Sequence, residues 1–269
     1  MTNPNYLMES EDESLRLELK TDENKVLEQA VWAGIKAGMQ VADLGCGPGK
    51  TTLAISKIIQ PGGEITGVDF SEDRIRYALE HYKAPGMNFC CRDIRMPLDD
   101  LGRFDFVWVR FVLEYYLTGG REIVENALKI LKPGGTICLI DLDNNCLNHY
   151  GIPARLERTI REIMSLLQER SNFDPYAGRK LYSFLYDLGL QEIDVSVAGH
   201  HVIYGRLEDA DAFNWLKKAE VAPKKVGYGF AEYPGGYDEF LEEFKNFFHS
   251  PRRFTYSPII LCKAVKPSP

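Results

Sequence analysis

The stretch Asp43-Leu-Gly-Cys-Gly-Pro-Gly-Lys-Thr-Thr52 decides the fold, because competing ligand classes claim the same glycine loop. Its end, Gly49-Lys50-Thr51, looks like the close of a triphosphate P-loop. A P-loop places four residues between its two glycines before the Lys-Ser/Thr pair. Here the first glycine would have to stand at Leu44, and it stands at Gly45. The loop is one residue too short for its backbone N–H groups to wrap a whole phosphate. The dinucleotide fingerprint fails in turn, since Gly45-x-Gly47 calls for a third glycine where Lys50 lies.

Outward from the loop the chain alternates. "MQVADL" is a short apolar strand leading in, and "TTLAISKII" is a helix leading out, stopped by Pro61-Gly62-Gly63. "EITGVDF" is the second strand, followed by a helix that Ser71 caps. "MNFCCRD" and "RFDFVWVR" are the third and fourth strands, a helix spans Glu122 to Leu131, "LKPGG" is a turn and "TICLIDLD" is the fifth strand. Continuous apolar strands alternating with helices define a parallel sheet covered on both faces. After Asp143 the rhythm changes to a long helix over "IPARLERTIREIMSLLQE", a second helix ending at Gly189, and strands "LQEIDVSVAGHHVIYG" and "FTYSPIILCKAVK". Helices are expected at Ala210–Ala219 and Tyr237–Phe248 between those last two strands. Before the sheet, Ser10 to Glu13 forms a capping box for a helix running in pieces to Ile35. The expected fold is α/β and doubly wound: a mostly parallel seven-stranded sheet with an antiparallel edge strand and helical cap insertions. Its expected parts are a helical cover (1–40), a sheet domain (41–205 and 254–269) and an aromatic-rich cap insert (206–253).

The 269 residues carry a formal net charge of -7, with 45% hydrophobic and 26% charged residues. That composition supports a full core and offers no overall basic surface for nucleic acid. The six cysteines form no C-x-x-C pair and sit mostly in apolar runs, as free thiols in a reducing compartment do. The polar, acidic N-terminal stretch is no signal peptide, and no apolar run approaches a membrane span. A cytoplasmic protein is expected.

"VADLGCGPG" resembles the first motif of class I S-adenosylmethionine-dependent methyltransferases. Four further stretches continue the resemblance in order: "TGVDF", "RDIRMPL", "FDFVWVRFVLEYY" and "LKPGGTICLID", together covering Val41 to Asp143. The resemblance implies S-adenosyl-L-methionine as cofactor and a site built from strand ends. Asp43 would face the cofactor's ammonium, and Gly45, Cys46, Gly47 and Gly49 would form the loop that approaches it. Asp69, with an oxygen for each ribose hydroxyl, would hold the ribose, flanked by Phe70 and Arg74. Asp93 would accept from the adenine amino group with Ile94 packed nearby, and Arg110 at the tip of the fourth strand would meet cofactor or acceptor. "YLMESEDESLRLELK" resembles a small-molecule subgroup in which Tyr6 and Arg16 close over the cofactor.

Plainer roles compete at each position. Asp69 can cap a helix, Asp93 can be a loop carboxylate, Arg110 can pair Glu114, and Lys50 and Thr51 can simply start a helix. Adjacent strand residues face opposite ways, so His200 and His201 are expected to be structural, and no metal is expected. Tyr6, Glu114, His149 and His200 are candidates for acid-base work, and no catalytic residue is assigned. The aromatic stripe Tyr237, Phe240, Leu241, Phe244, Phe248 suits packing in part and an apolar or aromatic acceptor in part. The reading is methyl transfer to a small organic molecule, with no nucleic-acid partner. An RNA or protein methyltransferase, a non-catalytic cofactor-binding protein, and an NAD- or NTP-binding enzyme are the alternatives.

Overall fold

The structure, a computed structural model, describes residues 17–18 and 21–268. The capping box at Ser10–Glu13 and the cofactor roles of Tyr6 and Arg16 lie outside the described residues. Five parallel strands carry the fold: β1 (Gln40–Leu44), β2 (Glu64–Asp69), β3 (Met87–Cys91), β4 (Phe104–Arg110) and β5 (Leu131–Leu142). The remaining strands are β6 (His149–Tyr150), β7 (Gln191–Tyr204) and β8 (Phe254–Val265). The sheet runs β3-β2-β1-β4-β5-β8, with β7 on the far side of β8. The reversed strand is therefore β8, one in from the edge, and it is antiparallel to both β5 and β7. The two-residue β6 pairs with Phe254 and Thr255 and makes the sheet eight-stranded, one more than the sequence reading counted.

Helices α1 (Glu23–Ala33), α2 (Lys50–Ile59), α3 (Glu72–His81), α4 (Gly120–Ile130), α5 (Ala154–Ser171), α6 (Leu181–Asp187), α7 (Asp209–Val226) and α8 (Gly236–His249) complete the described fold. β4 shows why the sheet is covered twice. Phe106 and Trp108 point into a core with Val26 and Ala30 of α1 and Ile55 and Ile59 of α2. Val107 and Val109, one residue out of phase, join Ile123 and Ala127 of α4 and Leu181 and Leu185 of α6. Each of the valines, leucines, isoleucines and the phenylalanine among them contributes roughly 1.5–3 kcal/mol by leaving water. A third apolar cluster lies away from these two, among α5, α7 and α8.

Three local expectations change. "LKPGG" does not separate α4 from β5; Leu131 already pairs with Phe104, and residues 132–135 bulge out before Thr136 pairs with Phe106. α7 runs on to Val226 through Pro223, because a proline in the last turns forfeits one N–H bond while its ring packs inward. His200 and His201 do not face opposite ways. The β7–β8 register shifts between His200 and Ile203, His201 has φ +48°, and the two rings lie 4.0 Å apart.

Candidate active site

The carboxyl ends of β1, β2 and β4 open onto one cleft, with a volume near 1000 Å³ including its mouth. Open parallel sheets bind ligands at this end, where strand order reverses. Gly45, Cys46 and Gly47 line it, with Asp69, Phe70 and Arg74 from the end of β2 and the start of α3. Ile94, Arg110 and the stretch after β4 (Phe111, Val112, Glu114, Tyr115, Tyr116) close the other side. Leu17 and Thr21 border it as well.

The loop's own hydrogen bonds answer the P-loop question. Gly45 and Cys46 donate their N–H groups to the Val68 carbonyl at 2.7 and 3.0 Å, and Gly49 donates to Cys46 at 3.1 Å. Gly47 donates to Asp69 Oδ2 at 3.0 Å. The amides of Gly45, Cys46 and Gly47 hold the loop to β2, that of Gly49 closes the loop on itself, and all four are already bonded within the protein. Lys50 and Thr51, in the first turn of α2 where helix N–H groups lack intrahelical partners, line the cleft. Lys50 itself turns away from any phosphate role: its Nζ donates to the Glu18 carbonyl at 2.6 Å and pairs with Glu18 Oε1 at 3.3 Å. Tyr82 donates its hydroxyl to the other oxygen of the same carboxylate.

Gly45 has φ +79°, and a Cβ there would lie 2.3 Å from Val112 Cγ2. The glycine is needed for the close approach of the loop to the turn after β4. Gly49, at φ +96°, begins α2, and a Cβ there would meet the Phe89 ring at 2.8 Å. Its role is packing on β3, and it does not line the cleft.

Asp69 is buried and accepts three hydrogen bonds, fewer than the roughly four lone-pair sites of a carboxylate. Oδ2 takes Gly47; Oδ1 takes Ser71 N–H at 2.9 Å and Arg74 Nε at 3.1 Å. Ser71, not Asp69, caps α3, with its hydroxyl oxygen accepting from Arg74 N–H. The Arg74 guanidinium lies 5.0 Å from the Phe70 ring centre, so a carboxylate, a cation and an aromatic face stand together at the end of β2.

Asp43 is buried beneath the loop, where its Oδ2 accepts from Thr52 Oγ1 at 2.6 Å. Burial pushes its pKa up to about 7, against the Thr52 bond and the charge of Arg110. Arg110 is pushed down to about 10 by burial, and donates to Gln29 Oε1 at 3.0 Å. It does not pair with Glu114. Asp93 stays outside the cleft lining: Arg95 grips both its oxygens, at 2.9, 3.0 and 2.6 Å, and those bonds hold its pKa below the usual carboxylate range.

Glu114 lies on a 3₁₀ turn, Leu113–Tyr115, and lines the cleft while almost fully buried. Asn145 donates to its Oε2 at 2.7 Å, and its own N–H donates to Asp141 Oδ2 at 3.0 Å. Asp141 is completely buried, and burial followed by the Glu114 charge drives its pKa well up. Sequence reasoning missed Asp141 and Asn145; the polar run after "TICLI" was the available signal.

The histidine candidates fall elsewhere. His149 presents Nε2 to the Cys146 carbonyl at 3.0 Å, so that nitrogen donates and Nδ1 accepts from Thr255 Oγ1 at 2.9 Å. Burial among Trp215, Phe247 and Phe248 lowers its pKa to about 4, so it stays neutral. His200 does not line the cleft; its ring lies 5.2 Å from that of Phe111, which does. Among the described residues, no group of three His, Cys, Asp or Glu side chains is placed to hold a metal ion. No described helix is long and apolar enough to cross a membrane.

The strand order and the strand-end cleft are those of the Rossmann-like proteins that bind a nucleoside beside a glycine loop. The family profile described as "Methyltransferase domain" matches residues 35–189, more than half of the chain, and the protein belongs to that family. Among curated proteins, the chain is 32% identical over 110 residues to a ubiquinone biosynthesis O-methyltransferase of Coxiella burnetii, covering 40% of this chain and 45% of that protein. It is 34% identical over 112 residues to a demethylmenaquinone methyltransferase of Staphylococcus aureus, covering 39% and 44%. The chain thus matches less than half the length of these relatives. Among solved structures, phosphoethanolamine N-methyltransferase 2 of Haemonchus contortus, bound to S-adenosylhomocysteine, superposes with TM-score 0.60 at 17% identity over 100% of this chain and 61% of that one. The [4+2]-cyclase SpnF superposes with TM-score 0.55 at 16% identity, over 92% and 82%. These two likenesses concern the fold, and the second shows that the fold alone does not name a reaction.

Proposed function

We propose that this protein is an S-adenosyl-L-methionine-dependent methyltransferase acting on a small organic acceptor. The observation that carries the proposal is Asp69: a buried carboxylate at the end of β2, bonded to the glycine loop and beside Phe70, inside the cleft. A nucleoside fits these groups, with its ribose at the carboxylate and its base along Phe70 and Ile94. The cleft's charged groups are of both signs, Asp69 and Glu114 with Arg74, Arg110 and Lys50, which suits the zwitterionic methionine end better than a triphosphate. The quinone-related names of the curated relatives, and the methyltransferase family itself, support the small-molecule reading.

Bound there, the cofactor would supply a methyl group already activated on sulfonium. The chain's part is to hold an acceptor in line behind it and to keep water out. Glu114, oriented by Asn145, is the carboxylate on the side where an acceptor would enter, and Tyr115 and Tyr116 form an aromatic wall beside it. The arrangement of parts we propose is a sheet domain with the helical insert 206–253 as a cap.

Thermal unfolding tests the cofactor. S-adenosylhomocysteine at about a hundred times its Kd should stabilise the fold by ~2.7 kcal/mol, while ATP with magnesium and NAD should not shift the midpoint. A shift with ATP alone would overturn the reading. Transfer of labelled methyl groups into a metabolite extract then separates turnover from mere binding.

A further inference from the structure

The sheet beyond β5 is left bare on one side. On the face that carries α4 and α6, the apolar core takes in Cys262 and Ala264 of β8 and goes no further toward the start of that strand. There the usual alternation is inverted. Phe254 and Tyr256 are 41% and 38% exposed, while Thr255 and Ser257 are 0% and 1% exposed. A strand with one face in water carries its polar side chains outward and hides its rings. Here the rings point out and the hydroxyls point in.

The neighbouring strands widen this face. Tyr150 of β6 and Tyr204 of β7 both pair in register with Phe254, and both are more exposed than it is. The Tyr256 ring lies 5.5 Å from that of Phe254. Val195 and Val197 stand opposite Cys262 and Ile260 and share their face; both valines are exposed. Exposed Val202 lies over Gly199, where a Cβ would come within 2.7 Å of its Cγ2. The stripe thus spans three strands, and neither 195–204 nor 254–262 contains Lys, Arg, Asp or Glu.

The size of the stripe points to its occupant. Its seven side chains expose on the order of 600–800 Å². A monomer's largest apolar patch is commonly about 300–600 Å². Two such stripes laid together would remove about 1,200–1,600 Å² from water, the size of a standard specific interface. A stripe without charge can also meet its own copy across a twofold axis with no like charges opposed. The bulge at His200–Ile203 interrupts the free edge of β7, which disfavours strand-to-strand pairing there and leaves the face as the contact. We propose that this face is the interface of a two-fold symmetric homodimer, with a second copy of the chain packed on it sheet face to sheet face.

The test is sedimentation velocity on the full chain over a range of micromolar concentrations. The expected result is a concentration-dependent dimer of twice the 30.6 kDa chain mass. Val197→Lys puts an ammonium into the stripe of both copies and should weaken association about a hundredfold. Val31→Lys, on α1 outside the stripe and at the same 65% exposure, should leave association unchanged. Tyr204→Ser removes a ring without adding charge and should weaken association about tenfold. Circular dichroism of each variant reports that the fold is kept; if Val197→Lys does not fold, Tyr256→Ser takes its place. A chain that stays monomeric, association untouched by both stripe variants, or open-ended growth past the dimer would each overturn the proposal. Flotation with vesicles of equal phosphatidylcholine and phosphatidylglycerol runs alongside. Vesicle binding by a monomer, lost in Val197→Lys, would give the face to a lipid surface and overturn the dimer. No readout involves cofactor or methyl transfer, so the interface can fail while the cofactor site stands, and the reverse.

Discussion

Asp43 is a carboxylate kept under the glycine loop with a threonine hydroxyl as its partner and a pKa near 7. Its unfolded value is about 3.8. Between those values the folded protein holds a proton that the unfolded chain has released. Stability is therefore greatest at the acid end of this window, falls as pH rises toward 7, and is level above it, by on the order of 4 kcal/mol for a three-unit shift. Asp141 acts in the same direction. Urea unfolding at pH 4.5 and 7.5 should show a smaller loss in Asp43→Asn than in the native protein; equal losses would mean that Asp43 is ionised throughout. Asp69 calls for the opposite kind of measurement, of ligand and not of fold. Asp69→Ala should weaken cofactor binding by about 2–3 kcal/mol, two charge-assisted bonds, as read by calorimetry. An unchanged Kd would remove the ribose from this carboxylate. Both aspartates were legible in the sequence because each ends an apolar strand beside a glycine-rich or capped turn. The Glu114 network was not. Its partners Asp141 and Asn145 stand 27 and 31 residues further along, and only the adjacency of β4 and β5 brings them together.

Among the elements, the strand-loop-helix unit of β1, loop and α2 was readable from its apolar run, its glycines and its stop at Pro61. What the sequence concealed is how tightly the loop is pressed onto the turn after β4. Gly45→Ala should destabilise the protein by roughly 2–4 kcal/mol, combining a positive φ with a clash against Val112. Val112→Ala in the same chain should recover part of that loss, since it removes the obstructing methyl but not the backbone strain. Denaturant midpoints of the single and double variants decide it, and strict additivity would show that the two residues do not meet. The elements misread share one cause: tertiary pairing overrode local preference. β8 recruits His149–Tyr150 as an extra strand, the β7 bulge turns two histidines to one side, and packing carries α7 past its proline.

For the molecule as a whole, the apolar interior is divided. Two clusters sandwich the sheet, and a third belongs to α5, α7 and α8. The sequence announced an aromatic insert but could not show that α5, which ends at Ser171 well before the insert begins, packs in the same cluster with it. The cofactor cleft is lined from the sheet side, so damage deep in the third cluster should be felt in stability and not in the cleft. Phe240→Ala, at a position 1% exposed, should lower stability by about 3–5 kcal/mol while the Kd for S-adenosylhomocysteine stays within about twofold. A parallel collapse of cofactor affinity would show that the helical group and the cleft form one mechanical unit.

The position of β8 has a consequence for how the molecule is made. Phe254–Val265 lies between β5 and β7, yet it is the last strand of the sheet to be synthesised. Until it leaves the ribosome, β5 has a bare flank and β7 has no partner, so two open hydrogen-bonding edges coexist on one nascent chain. Neither sheet core can close before then, because Leu261 and Cys262 fill opposite faces. A ribosome stalled before Phe254 would hold a chain open to pairing with its neighbours on the same message, and release at that point would favour an aggregate over a closed sheet.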